Sequence, residues 1–292
     1  MSEKNITKVK KILVVGLGLI GASLCRDLKK KSKYEKIYGY DQDVDIMQFA
    51  LDNNFVHDIK KDLNEGIANS DLIVLCVPVY SIINILDEIK IFFNSNKVFT
   101  DTLSSKSTIL KYLADNKILN TQNFILSHPM AGTENFGIQS SQENLFNEAA
   151  TFICKLESSD NDKVDEVKAM WRSVNCHIIS EDVVNHDRVL AALSHGPHAI
   201  SFALSKLANK KDLFSEMPWS KKKGSLAEMV RVASSDPVAW LSIFEDNQDN
   251  LISYINEYLE ELNKLKLILK SKKHDDLLNY LAASKPKSTK LK

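Results

Sequence analysis

Apolar residues follow two different rhythms along this chain, and the change comes near residue 180. Before it, short continuous runs alternate with amphipathic stretches. Ile12-Leu13-Val14-Val15, Ile37-Tyr38-Gly39-Tyr40, Leu72 through Val77, Val98-Phe99-Thr100 and Phe124-Ile125-Leu126 each read as a buried strand. Helices are expected from about Gly18 to Lys31 and from Asp43 to Asn53. Uninterrupted apolar strands separated by helical patterns predict an α/β domain, a parallel sheet covered on both faces. Thr151 through Cys154 and His177-Ile178-Ile179 predict further strands around a helix from about Asp162 to Val174. After Ser180, apolar residues recur at helical spacing. Val189, Leu190, Leu193, Ile200, Phe202 and Leu207 fit one long helix starting near Asp182, and Leu251 to Leu269 fit a second. Pro197 inside the first predicts a kink. The expected division is a sheet domain over 1–180, an all-α domain over 181–283 and a disordered basic tail over 284–292.

Composition changes this picture little. A chain of 292 residues is long enough for two cores. Lys+Arg and Asp+Glu balance at 38 each, so no global field draws the chain to nucleic acid. None of the four cysteines, Cys25, Cys76, Cys154 and Cys176, forms a C-x-x-C pair, so reduced thiols and a cytoplasmic setting are expected. Met1 to Lys11 is polar and lysine-rich, without the apolar core of a signal peptide. No apolar run approaches the roughly 20 residues that span a bilayer. The helical half is rich in apolar residues for its size, which predicts a homodimer through those helices.

Gly16-Leu17-Gly18-Leu19-Ile20-Gly21 is a G-x-G-x-x-G placed directly after a strand and opening a helix. Gly16 permits the tight turn, Gly18 lets backbone approach a pyrophosphate, and Gly21 lets helix and strand pack closely. Phosphates would meet free N–H groups at a helix N-terminus. Asp41 follows the second strand, 20 residues after Gly21, where a carboxylate would bind ribose hydroxyls and repel a 2′-phosphate. That favours NAD over NADP. Asp43 competes for the role but is the more natural helix N-cap. Val77-Pro78 ends the next strand and is expected to line the nicotinamide side.

Four polar segments punctuated by turn residues are the candidates for chemistry: 101–106, 127–134, 185–198 and 231–237. His128 sits on a Pro/Gly loop at the edge of the sheet where ligands collect, and imidazole suits the proton of a secondary alcohol. Ser104 opens onto the same edge, where it can contact hydroxyl, histidine and cofactor. Ser105 and Ser107 are helix-cap candidates. His186, His195 and His198 fall roughly on one helical side and read as a wall of substrate-facing groups. Their spacing is too wide for a metal site, and none is expected. Arg231 is the best anion clamp in the helical half.

These segments, in this order behind the glycine loop, closely resemble the prephenate/arogenate dehydrogenase family. Ser-His-Pro-Met-Ala-Gly-Thr-Glu at 127–134 is the most specific piece, supported by Ser-His-x-Pro-His at 194–198 and Arg-Val-Ala-x-x-x-Pro at 231–237. The resemblance implies a Rossmann-type doubly wound domain followed by a helical dimerisation domain. No chorismate mutase domain is expected ahead of it and no regulatory domain behind. It implies oxidative decarboxylation of prephenate with NAD+. In that reaction His128 takes the proton of the C4 hydroxyl, Ser104 bridges the two, and Arg231 binds the ring carboxylate. His198 places the side-chain end of the substrate. Glu134, His186 and Asp187 belong to the network that orders and gates the pocket, and Trp240 packs near the substrate. The sequence departs from the family at Gly196, where leucine is usual, and at Leu226-Ala227-Glu228, where Phe-Arg-Asp is frequent. The rivals are arogenate oxidation, a β-hydroxyacid or imine reductase, and a nucleotide-binding protein without turnover.

Overall fold

The computed structural model describes residues 9–133, 135–211 and 224–286. The first half alternates strands and helices: β1 (Lys11–Val15), α1 (Leu19–Lys31), β2 (Lys36–Tyr40), α2 (Val44–Asp52), β3 (Asp58–Ile59), α3 (Leu63–Ala68), β4 (Leu72–Leu75), α4 (Val79–Ile89), β5 (Val98–Asp101), α5 (Ser107–Asp115), β6 (Phe124–Pro129), β7 (Ala150–Cys154), α6 (Asn161–Ser173) and β8 (His177–Glu181). They form one eight-stranded sheet in the order β3-β2-β1-β4-β5-β6-β7-β8. Every neighbouring pair is parallel except β6 with β7. The order reverses between β1 and β4, and a crevice opens where the loops leaving these two strands diverge.

Alternation along each strand divides the core into two layers. Ile12 and Val14 of β1, with Leu72 and Val74 of β4, pack on the face carrying α1 and α6. Leu13, Val15, Ile73 and Leu75 pack on the opposite face, with Leu86 of α4 and Ile109 of α5. The same rhythm decides the chemistry at the end of β6. Phe124 and Leu126 point to the second layer and Ile125 to the first. Ser127 therefore turns toward α6, where its Oγ accepts from Trp171 Nε1 at 3.0 Å. His128 turns the other way, against Phe152. His128 thus belongs to the strand itself, where a loop position was expected.

The second half is helical: α7 (Val183–Leu190), α8 (Gly196–Lys210), α9 (Ser225–Val230), α10 (Pro237–Asp246), α11 (Gln248–Ser271) and α12 (His274–Ala283). A π turn, Ala191–His195, joins α7 to α8, so the expected long helix runs on from 183 to 210. The irregularity expected at Pro197 takes that form. A proline ring crowds the carbonyl four residues back, and the widened turn just before it relieves the crowding. Gly196 has its own cause: a Cβ there would stand 2.2 Å from the Tyr254 ring of α11 and 2.7 Å from the Ala191 carbonyl. Tyr254 occupies the space a larger side chain at 196 would need. In the single chain Leu207, Leu241, Leu259, Leu262, Leu278 and Leu281 stay exposed. α12 ends at Ala283, and most of the expected tail, 287–292, lies outside the described residues.

Candidate active site

A cleft of about 620 Å³ lies over the crevice between β1 and β4 and reaches to α10. Its floor is the glycine loop. Gly16 has φ +89°, and a Cβ on it would meet the Cys76 carbonyl oxygen at 2.6 Å. A Cβ on Gly21 would stand 1.9 Å from the Gly16 carbonyl, so the third glycine lets α1 close on the turn. Gly18 is the N-cap of α1, with no side-chain cap and open space where a Cβ would project. The first N–H groups of α1 thus point at room for a ligand, as an anion site requires. Asp41 braces the loop: its Oδ2 accepts from Leu17 N at 2.8 Å and its Oδ1 from Asp43 N at 3.0 Å. Asp43 caps α2, accepting from Asp45 N at 2.9 Å. Leu19, Ile20, Val77, Pro78 and Ser104 also line the cleft, while Gly21 lies beneath it.

His128 forms part of the cleft wall and is only 7% exposed. Its Nδ1 lies 3.0 Å from His186 Nε2, and His186 Nδ1 lies 2.8 Å from Asp187 Oδ1. This chain sets the tautomers. Burial raises the Asp187 carboxyl, but the hydrogen bond from His186 and the N–H groups around it outweigh burial and hold it below its usual range. A carboxylate there makes His186 Nδ1 a donor and His186 Nε2 an acceptor. His128 Nδ1 must then carry its proton, which leaves Nε2 with a free lone pair. Burial, with the charge of Lys106 and of the neighbouring imidazoles, pushes His128 well below its usual value. The ring is neutral at physiological pH and is a base.

Asp187 has a second task. It accepts from Lys106 N, Ser107 N and Ser107 Oγ, while Asp246 Oδ1 accepts from Thr108 N and Thr108 Oγ1 at 2.6 Å each. Two carboxylates of the helical half thereby cap α5 of the sheet domain. Ser105 and Ser107, the expected caps, do not fill that role. The Ser105 hydroxyl is buried without a partner, and Ser107 donates to Asp187. Below the cleft Lys106 is fully buried. It pairs with Asp101 and donates to the carbonyls of Leu103 at 2.8 Å and Ser127 at 2.7 Å. One cation therefore ties the Ser104 loop to the strand that carries His128. Lys106→Met would leave the buried Asp101 carboxylate without its cation, held only by the N–H groups of Leu103 and Ser127, so a loss of about 3–5 kcal/mol in urea unfolding is expected.

The helical wall of the cleft is α10, which contributes Ala239, Ser242 and Ile243, with its N-cap Asp236. Trp240 is not among the residues lining the cleft and stacks on His198 at 3.7 Å between ring centroids. His186 and His195 do not face the cleft as expected. Both are fully buried, because α7 packs against β7 and the π turn against α11. His195 Nδ1 meets Asn247 Nδ2 at 2.9 Å, and the same amide donates to the Asp187 carbonyl at 2.7 Å. Burial pushes His195 down to about 4. Arg231 lies on the turn Arg231–Ser234, exposed and outside the cleft wall, with its charge acting on His198. None of the described residues lining the cleft is a lysine or arginine. Glu134 lies outside the described residues. Among the described residues no three His, Cys, Asp or Glu side chains are placed to hold a metal. Lys106 was expected to open onto the sheet edge beside Ser104, but it is buried with Asp101, and Asp246 and Asn247 received no role from the sequence. A lysine just past an apolar strand that ends in aspartate is a signal for the first pair; for Asn247 there was none.

A dinucleotide cradle at a sheet switch point, with a neutral imidazole in the same cleft, defines the class: a nucleotide-dependent oxidoreductase of two domains. The family model "prephenate dehydrogenase, nucleotide-binding domain" matches residues 24–180, and "prephenate dehydrogenase, dimerization domain" matches 182–283. The chain belongs to the prephenate dehydrogenase family. It is 28% identical to the cyclohexadienyl dehydrogenase of Zymomonas mobilis, over 98% of both chains. It superposes with a TM-score of 0.83 on prephenate dehydrogenase from Aquifex aeolicus, solved with hydroxyphenyl propionate and NAD+, at 26% identity over 94% of this chain and 95% of that one. Arogenate dehydrogenase from Synechocystis gives a TM-score of 0.78 at 26% identity over 94% and 96%.

Proposed function

We propose that the protein oxidises prephenate to 4-hydroxyphenylpyruvate and CO2 with NAD+. The observation that carries this is the hydrogen-bonded order Asp187, His186, His128, which leaves a bare Nε2 in the cleft that holds the glycine loop. The cofactor fits the residues present: a turn only glycine can make, uncapped N–H groups above it, and Asp41 beside it. NAD+, when bound, supplies the hydride acceptor. His128 accepts the proton of the C4 hydroxyl as that carbon loses its hydride. The ring carboxylate then leaves as CO2, its bonding electrons complete the aromatic ring, and the proton returns from His128 to the phenol oxygen, so charge and atoms balance. Ser104 holds the hydroxyl in line. A positioned base contributes about 10²- to 10⁴-fold, and aromatisation supplies the thermodynamic drive.

The substrate carries two carboxylates and the described cleft wall carries no cation. Arg231, on the turn that precedes α10 in the chain, is therefore assigned to the ring carboxylate, with His198 toward the side-chain end. Glu134 is assigned to gating. The working division is a nucleotide-binding domain over 1–180, a substrate and dimerisation domain over 181–283, and a tail beyond. The apolar side chains left exposed on the helical half support a homodimer. Among the described residues no helix is long and apolar enough to cross a membrane. That, with four cysteines outside any disulfide, supports a cytoplasmic enzyme.

Following NADH or NADPH formation with prephenate and with arogenate, each with NAD+ and NADP+, tests the reading. Prephenate with NAD+ is expected to be fastest; a faster rate with arogenate reassigns the substrate. Asp41→Ser removes the charge that repels a 2′-phosphate, so the kcat/KM ratio of NAD+ to NADP+ should fall about tenfold or more, at a cost of roughly 1.4 kcal/mol in discrimination. An unchanged ratio would place cofactor selection elsewhere.

A further inference from the structure

We propose that Phe136 is a cofactor-contacting residue, its ring lying across the dinucleotide once the cleft is filled. The inference rests on the nucleotide reading above. Phe136 is 74% exposed, whereas Phe99, Phe124, Phe146 and Phe152 are all buried. It lines the same cleft as Gly18, Ile20 and His128. Its backbone is held in place. Its carbonyl accepts from Ser140 Oγ at 2.8 Å, and Gly137, at φ +82°, turns the chain into Ile138, which is buried. The turn Ile138–Ser140 that follows is tied to α1, where Arg26 donates to the Ser141 carbonyl at 2.7 Å and Ser23 Oγ accepts from Gln142 N at 2.9 Å. The phenyl group is thus presented at a fixed point above the helix whose N-terminus receives the phosphates.

An exposed phenyl ring on a cleft lip gains by covering an occupant, since apolar area leaves water on both sides. The expected occupant is the dinucleotide, because the turn that follows the ring is bonded to α1, whose first residues Leu19 and Ile20 line the cleft.

Titration of the full chain with NADH, read by nucleotide fluorescence, tests this in the wild type, Phe136→Ala and Phe136→Tyr. Phe136→Ala should weaken NADH binding about tenfold, about 1.4 kcal/mol, with Tm and sedimentation unchanged, since the ring is exposed. Phe136→Tyr, which keeps the aromatic face, should bind like wild type. Wild-type affinity in Phe136→Ala overturns the proposal, as does a rise confined to the KM of prephenate, which would assign the ring to the substrate. A changed oligomeric state with normal NADH affinity also overturns it, by assigning the ring to a subunit contact. If the wild-type chain fails to bind NADH, the nucleotide reading itself falls and takes this one with it.

Discussion

Replacing His128 with asparagine is expected to lower kcat by about 10²- to 10⁴-fold and to leave NADH affinity near wild type. An asparagine can still donate to His186 Nε2, so the buried contact survives while the imidazole lone pair that takes the proton is lost. His128 lies at the end of β6, away from the glycine loop that holds the nucleotide, so binding and chemistry separate in this variant. The wild type should show a matching pH profile. Burial and the charge of Lys106 keep His128 neutral well below its usual value, so kcat/KM stays flat through neutrality and falls only when acid protonates the ring. The same depression bears on stability. His128, His186 and His195 all have folded-state values below 6.5, so from that pH downward the unfolded chain takes up protons the folded one refuses, and stability falls on acidification. Steady-state rates with prephenate and stopped-flow NADH binding check the substitution; a kcat within a few-fold of wild type removes His128 from the chemistry.

What could be read from the sequence depended on the range of the interaction. The glycine loop, the alternating strands and the helical spacing after residue 180 are local signals, and each appears in the structure. Asp43 capped its helix as its position implied, because an N-cap contact reaches only to the second or third following N–H. The cap of α5 was not legible, since its donors are satisfied by Asp187 and Asp246, 81 and 138 residues away. Ser105 and Ser107 were the local candidates, and tertiary carboxylates displaced them. The substrate-facing wall expected of His186 and His195 does not form: periodicity gives the face of a helix but not what that face meets. Here α7 meets the sheet, so His186 stands behind the base, out of the cleft. Alternation along β6 would have told which way His128 points, had the strand been extended two residues beyond Leu126.

The second large effect is expected from Asp187→Asn, which touches neither nucleotide nor substrate. The amide can still cap α5 with the oxygen left in the place of Oδ2, accepting from Lys106 N and Ser107 N, so folding should survive. Its NH2 then faces His186 Nδ1, the atom that donates to Asp187 Oδ1 across 2.8 Å in the wild type. A donor there requires His186 Nδ1 to become an acceptor, which moves that ring's proton to Nε2. His186 Nε2 then donates to His128 Nδ1, and the last proton moves to His128 Nε2, where it points at the substrate hydroxyl. One atom exchanged at the buried end turns the base into a donor at the other. A loss of up to about 10⁴-fold in kcat is expected from a reversed imidazole tautomer, with Tm close to wild type. Raising the pH should not restore the rate, because the wrong tautomer is neutral already. Nitrogen-15 shifts of labelled histidine report the exchange directly, with the protonated nitrogen of His128 passing from Nδ1 to Nε2. A variant that folds normally and keeps both its kcat and the wild-type nitrogen shifts would show that Asp187 does not hold the base in order.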